Sequence, residues 1–311
     1  MLRSVKVIVG VLLLLTGMKA AGQSQVTALP LKYHPGFAGA SADGRLVFYT
    51  GIENVNNDNI ENKSNLFYSI QSSFDFFIKK ISTGIGIQSG YIKNNILLSD
   101  QVNSLYLKYT DVLENQTLSI VSGIQNQLSV SPKISFRGRY TLAPGISIIH
   151  SNLWLSTYLS ENYFHSFKSM VATRTEIISG IVFNTENLSL ALSARIWDKL
   201  SGNRQSEYSN NTSLYFQGGY VYKRNVNSRF SFNPVLLVSA ERRIPGYSVY
   251  ALLNLNFKYK NIIFGVLPGV MAGYQSQGLI LYASYAPVII RSIQDNRFGK
   301  TIEAGIKIRF R

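Results

Sequence analysis

From Gly299 to Arg311 the chain alternates without a break. Ile302, Ala304, Ile306, Ile308 and Phe310 fall on one face of an extended strand, and Glu303, Gly305, Lys307 and Arg309 on the other. Successive side chains of a β-strand point to opposite faces, so one face here is apolar and the other charged. A strand with Glu, Lys and Arg on its second face cannot be buried in apolar surroundings on both sides, and its polar side must meet water. The pattern recurs. Ile81, Thr83, Ile85 and Ile87 oppose Ser82, Gly84, Gly86 and Gln88, and the small residues of the second set leave room beside them. Tyr247, Val249, Ala251, Leu253, Leu255 and Phe257 oppose Ser248, Asn254, Asn256 and Lys258. Leu214, Phe216, Gly218, Tyr220 and Tyr222 form a further face, ending in two tyrosines where an interfacial aromatic girdle belongs.

Beyond the N-terminal leader no segment holds the roughly 18 consecutive apolar residues that a membrane-spanning helix needs. The longest candidate, Ile262 to Gly273, is interrupted by Gly265, Pro268 and Gly269. A chain that crosses a bilayer with strands must close into a barrel, because an open sheet edge in lipid leaves backbone groups unpaired. The predicted fold class is therefore all-β: a transmembrane up-and-down antiparallel β-barrel.

The start of the chain fits that location. Arg3 and Lys6 precede the apolar run Val7 to Leu15, and Ala20, Ala21 and Gly22 supply small residues at a cleavage site. These three regions in order predict a secretory signal peptide over residues 1–22, followed by one outer-membrane barrel domain over residues 23–311. No cysteine stands at the cut, which argues against a lipoprotein anchor. Cleavage removes Arg3, Lys6 and Lys19 and lowers the formal charge from +15 to +12. In an exported chain this basic balance points to lumen, rim and loop residues facing anionic lipopolysaccharide or an acidic partner, and no nucleic acid is expected. With no cysteine there is no disulfide framework, thiolate metal site or cysteine nucleophile.

Thirteen candidate strands are legible: Gly44 to Glu53, Asn65 to Ile78, Ile81 to Lys93, Gln101 to Thr110, Gln116 to Gln127, Arg174 to Asn184, Asn187 to Trp197, Thr212 to Lys223, Ser228 to Ala240, Tyr247 to Lys258, Ile262 to Tyr274, Gly278 to Ile289 and Gly299 to Phe310. Turn-forming clusters separate them, with no helical interlude. Single-chain bacterial barrels use an even number of strands. The stretch Leu128 to Thr173 should then hold an odd number: one strand gives fourteen, and three give sixteen. Loop lengths do not alternate clearly enough to say which loops face outward.

Candidate chemistry is sparse. His34 precedes the first strand, while His150 and His165 fall in the unclear stretch; none has metal-ligand spacing. Ser147 and Ser151 flank His150, but serines are too common here to mark a nucleophile and its base. Most acids fall at turns or strand ends. Asp75 lies inside a strand beside Phe74, Phe76 and Phe77, and reads as a lumen-facing group paired with an Arg or Lys across the barrel. Gly84 and Gly86 form no phosphate loop, since no helix start follows. No enzyme, metal or cofactor is predicted.

The most distinctive element is His34-Pro35-Gly36-Phe37-Ala38-Gly39-Ala40-Ser41, just ahead of the first strand. Pro35 forces an extended approach and Gly39 tolerates a positive φ. The segment reads either as a structural turn leading into the barrel or as a partner-contacting plug formed by His34, Pro35, Gly36, Phe37, Ala38 and Gly39. At this element the chain resembles the PorP/SprF membrane proteins of the type IX secretion system of Bacteroidota, whose members carry Asn-Pro-Ala-(Tyr or Phe)-Ala-Gly-Ser after the signal peptide. His stands for Asn at 34, Gly for Ala at 36, and Ala40 precedes the Ser. The runs Gly180 to Phe183, Ala191 to Ser193, Gly218 to Tyr222 and Asn233 to Ser239 follow the family's order, and the closing Gly299 to Ala304 is similar to its final strand, although the family's His is missing.

The resemblance implies a non-enzymatic outer-membrane protein that assists secretion or surface anchoring of a large adhesin or gliding-motility protein by engaging its C-terminal sorting domain. Its implied partners are that secreted protein, periplasmic type IX components, and outer-membrane lipid and lipopolysaccharide. It implies no cofactor and no catalytic residue. The residues alone leave two competitors: a porin for small solutes, and, more weakly, a barrel enzyme acting on lipid or peptide.

Overall fold

A computed structural model describes residues 30–40, 44–57, 64–96, 117–136, 138–159, 166–201, 206–208, 212–223, 229–243, 246–266, 269–292 and 295–310. The strands form one closed sheet. In chain order they are β1 (Arg45–Asn57), β2 (Ser64–Ile78), β3 (Thr83–Ile96), β4 (Thr117–Pro132), β5 (Tyr140–Leu159), β6 (Ser166–Asn184), β7 (Leu188–Ser201), β8 (Ser213–Tyr220), β9 (Phe230–Arg243), β10 (Gly246–Tyr259), β11 (Ile262–Val266), β12 (Val270–Gln275), β13 (Leu279–Ser292) and β14 (Asp295–Arg309). Ile134–Phe136 prolongs β4, while Ser206–Tyr208 and Tyr222–Lys223 extend β8 at its two ends. Each strand pairs antiparallel with its neighbours in sequence, and β1 closes the ring on β14 from Arg45↔Arg309 to Asn57↔Arg297. Pairing the first strand with the last removes the two edges that an open sheet would leave to lipid.

The fourteen strands agree with the lower of the two predicted numbers, by a different route. Leu128 to Thr173 holds one whole strand, β5, together with the end of β4 and the start of β6. The run Ile262 to Tyr274, read from sequence as one strand, is two strands, parted at the Pro268-Gly269 turn signal. The strand predicted over Gln101 to Thr110, His165 and the predicted signal peptide all lie outside the described residues.

Alternation sets the two faces. Phe48, Ile70, Ile87, Leu128, Ile148, Leu192, Leu214 and Ile306 are exposed on the outer wall. Their neighbours Ser69, Gln71, Ser73, Gln88, Gln127, Ser129, Ser147 and Glu303 are buried within the barrel. Tyr140, Tyr220, Tyr222, Phe230 and Tyr259 stay exposed near the end where β1 begins and β14 finishes, forming an aromatic girdle. On the same wall Phe232, Phe257 and Phe264 stack across three strands at centroid separations of 4.8 and 4.9 Å. Tight turns such as Lys79–Ile81 and residues 260–261 lie at this end. Short turns mark the periplasmic end of outer-membrane barrels.

Candidate functional site

The predicted element ahead of β1 folds into the barrel. Pro30–Lys32 and Pro35–Phe37 are single 3₁₀ turns, with Pro35 at the first position, where its missing N–H costs nothing. The Phe37 N–H donates to His34 O, Ala38 N–H to Pro35 O and Ala40 N–H to Phe37 O, so the segment satisfies much of its own backbone. Leu31, His34, Pro35, Gly36 and Ala38 are buried. They lie against the inward faces of β3 to β9.

The wall is cut to receive them. A Cβ on Gly84 would lie 2.0 Å from Ala38 O, one on Gly86 2.8 Å from Leu31, and one on Gly145 2.6 Å from the Gly36 nitrogen. Gly39 takes φ +60° where its Cα region meets Gly84, so neither position accepts a side chain. Polar side chains of the wall hold the segment's carbonyls. Gln127 Nε2 donates to Leu31 O at 2.6 Å, Lys133 Nζ to Gly36 O at 2.6 Å, and Ser193 Oγ to Tyr33 O. Phe37 packs on Ala143, Val182 and Ala191, and Tyr33 leans on Tyr215 with ring centroids 5.1 Å apart.

His34 is the chemically unusual member. The single Ser193 hydroxyl hydrogen is committed to Tyr33 O, so the 2.8 Å contact with His34 Nδ1 requires Nδ1–H to donate. Nε2 then carries a lone pair, buried without a hydrogen-bond partner. Burial pushes the imidazole down from the ordinary 6.5 to about 3. The sign follows. Below 6.5 the undocked segment binds a proton that the docked one refuses, so docking is at full strength above that value and weakens as pH falls toward 3. The protection factors of amides across residues 31–40, which allow for slower intrinsic exchange at low pH, are expected to fall between pH 6.5 and 4 in the wild-type protein, and His34→Gln should flatten that dependence.

Further into the lumen lies a charge lattice. Arg174 binds Asp198 through two nitrogens at 2.9 and 2.6 Å and reaches Glu176 at 3.2 Å. Arg195 Nε meets Glu176 at 2.7 Å, and its Nη2 donates to Tyr215 Oη at 3.1 Å. Two cations face two anions, and Tyr215 links this lattice to the docked segment. Residues 195 and 198 would fall on opposite faces of a regular strand. A bulge at Ile196, where Ile177 pairs with Trp197 and Ile178 with Arg195, turns both inward and leaves Ile196 exposed. Elsewhere Tyr49 Oη donates to Glu303 Oε1 at 2.7 Å, and Ser284 Oγ to Glu303 Oε2 at 3.1 Å.

Asp75 faces the lumen as predicted, but its partner is adjacent rather than across the barrel: Arg45 Nε, directly opposite on β1, donates to Oδ2 at 2.6 Å. The predicted site residues His34, Pro35, Gly36, Phe37, Ala38 and Gly39 are brought together in this packed segment. Sequence reasoning missed Gln127, Lys133 and Ser193 as its holders; the inward small residues Gly84 and Gly86 were the available signal. His150 faces outward, near Thr175 Oγ1 at 3.1 Å, while Ser147 and Ser151 face inward, so the wall separates that His from both serines. Among the described residues no group of three or more His, Cys, Asp or Glu side chains could hold a metal ion. One recess of about 820 Å³ lies on the wall, where Ala272, Ala283, Ala304 and Thr50 stand in register between larger side chains such as Phe48 and Tyr274.

A closed antiparallel barrel with apolar outer wall, aromatic girdle and polar interior defines an integral protein of the outer-membrane type. The toluene transporter TbuX of Ralstonia pickettii is similar in fold, with TM-score 0.51 at 11% identity over 91% of this chain and 94% of that one. The Pseudomonas putida toluene transporter TodX gives TM-score 0.50 at 9% identity over 93% and 94%. The translocator domain of the autotransporter NalP from Neisseria meningitidis gives 0.46 at 11% identity over 87% and 89%. No protein family and no characterised protein matches the chain by sequence.

Proposed function

We propose that this chain is a non-enzymatic outer-membrane protein of the type IX secretion system, related to PorP/SprF, that helps export or anchor a large adhesin or motility protein by engaging its C-terminal sorting domain. One observation carries the reading: the element on which the resemblance rests, His34 to Gly39, is built into the lumen and held there by Gln127, Lys133 and Ser193. A barrel whose interior is committed to its own chain suits a platform for other proteins better than a conduit. Secreted adhesin and periplasmic type IX components are the partners this reading calls for.

The competing reading is a solute channel. Solved structures similar in fold are described as toluene transporters, whereas this lumen carries the charged lattice of Arg174, Glu176, Arg195 and Asp198, which does not favour an apolar solute. Deleting the gene should strip one adhesin from the cell surface while leaving uptake of small solutes unchanged. Impaired uptake with surface proteins intact would establish the channel instead. Alanine at His34, His150 and His165 together, with lipid and peptide hydrolysis assayed, tests any histidine-dependent enzyme; the export reading expects no hydrolysis to be lost.

A further inference from the structure

The barrel wall is not of even height. Between β10 and β13 stand the two shortest strands, Ile262–Val266 and Val270–Gln275. β10 pairs with β9 along its whole length, from Gly246 to Tyr259, but with β11 only from Leu255 to Tyr259. β13 pairs with β14 from Leu279 to Ser292, but with β12 only from Ile280 to Tyr285. Among the described residues, Gly246 to Asn254 and Ala286 to Ser292 therefore have a neighbour strand on one side only. A notch two strands wide opens at the end away from the start of β1, and the Val266↔Val270 pair bounds it below.

The notch is deep. At ~3.3 Å per residue and a tilt near 45°, the open edge of β10 descends about 20 Å along the barrel axis, against an apolar band about 25 Å tall. Open edges at that depth leave N–H and C=O groups facing lipid, where an unpaired group is strongly disfavoured. Lipid tails carry no donor or acceptor and cannot satisfy them. The sequence marks the same place independently. Pro287 interrupts the run of donors in β13, and proline within a sheet is tolerated on edge strands.

We propose that the notch is a docking site for a β-hairpin of a partner protein, whose two strands continue β11 and β12 and complete the wall. The occupant's chemistry is fixed by the edges: β10 and β13 run antiparallel, two strand positions are missing between them, and the edges offer backbone donors and acceptors for pairing. The hairpin needs about nine residues in one arm and seven in the other, with alternating apolar and small polar side chains that suit lipid outside and lumen inside. This surface stands apart from the lumen segment and does not depend on the type IX reading.

The test uses the purified full-length protein in lipid nanodiscs and a synthetic hairpin whose arms alternate Leu or Val with Ser or Thr around an Asn-Gly turn. Amide exchange is read residue by residue. Without peptide, alternate amides of residues 246–254 and 286–292 should exchange freely while those bonded to β9 and β14 stay protected. Saturating hairpin should slow the free set by about ten-fold or more, and the same peptide N-methylated at its pairing positions should not. A variant with a matching hairpin inserted between Val266 and Val270 should be protected from the start and should not bind the peptide. Edge amides already protected in the wild-type protein alone would overturn the proposal, since the chain would then cover its own edges. Protection absent at saturation, or spread over other strands, would overturn it equally.

Discussion

Gly84→Val is expected to expel the 31–40 segment from the lumen and to turn a closed barrel into a conducting one. A Cβ at this position would sit 2.0 Å from Ala38 O, 2.5 Å from Ala38 C and 2.9 Å from Gly39 Cα. β3 cannot retreat, because it is bonded to β2 from Phe67↔Asn94 to Ile78↔Thr83 and to β4 from Thr83↔Pro132 to Ile96↔Ser119. The segment can retreat, since it is tied to the wall by side chains. Overpacking of this kind costs about 1–3 kcal/mol, and here it also removes the hydrogen bonds from Gln127 and Lys133 that depend on the docked position. Amide exchange over residues 31–40 should rise by about two orders of magnitude. Single-channel conductance in planar bilayers should appear where the wild type has little. Barrel integrity is checked separately by heat-dependent gel mobility, which should not change. A quiet bilayer and unchanged exchange would mean that the segment does not close the lumen.

Asp75→Ala should be the most destabilising single replacement in the wall. Asp75 is fully buried, and Arg45 opposite it has a side chain only 8% exposed. Lys133 and Lys307 also lie within electrostatic reach of the carboxylate. Removing it leaves a cluster of cations with no anion among them, and breaking a buried pair in this way costs about 3–5 kcal/mol. Arg45→Met alone should cost less, because Lys133 and Lys307 remain within electrostatic reach of the Asp75 carboxylate. The double variant Arg45→Met/Asp75→Leu should recover much of the loss, because it removes both desolvated charges. Urea unfolding in detergent micelles, followed by tryptophan fluorescence, measures all three. Additive losses in the double variant would show that the two side chains act independently.

Two-residue periodicity determined the architecture. In β14 the order Ile302, Glu303, Ala304, Gly305, Ile306 assigns each residue to lipid or lumen, and that assignment follows from strand geometry alone. The girdle tyrosines Tyr220 and Tyr222 and the inward Gly84 and Gly86 were legible for the same reason. Strand boundaries were less so: the apolar run from Ile262 to Tyr274 concealed two strands, because alternation continues through a turn that only Pro268 and Gly269 betray.

Tertiary structure alone decided what fills the barrel. Whether His34 to Gly39 was a turn outside the wall or a segment within it depends on its fit to glycines on β3 and β5 that lie far away in the chain. Arg195 and Asp198 share a face only because a bulge at Ile196 breaks the period from which faces are read. The notch arises because β11 and β12 stop short of their neighbours, a comparison no single strand contains. Local pattern fixes which way a side chain points, since that is a property of one strand. What it meets there depends on registers set by ring closure, which are properties of the whole barrel.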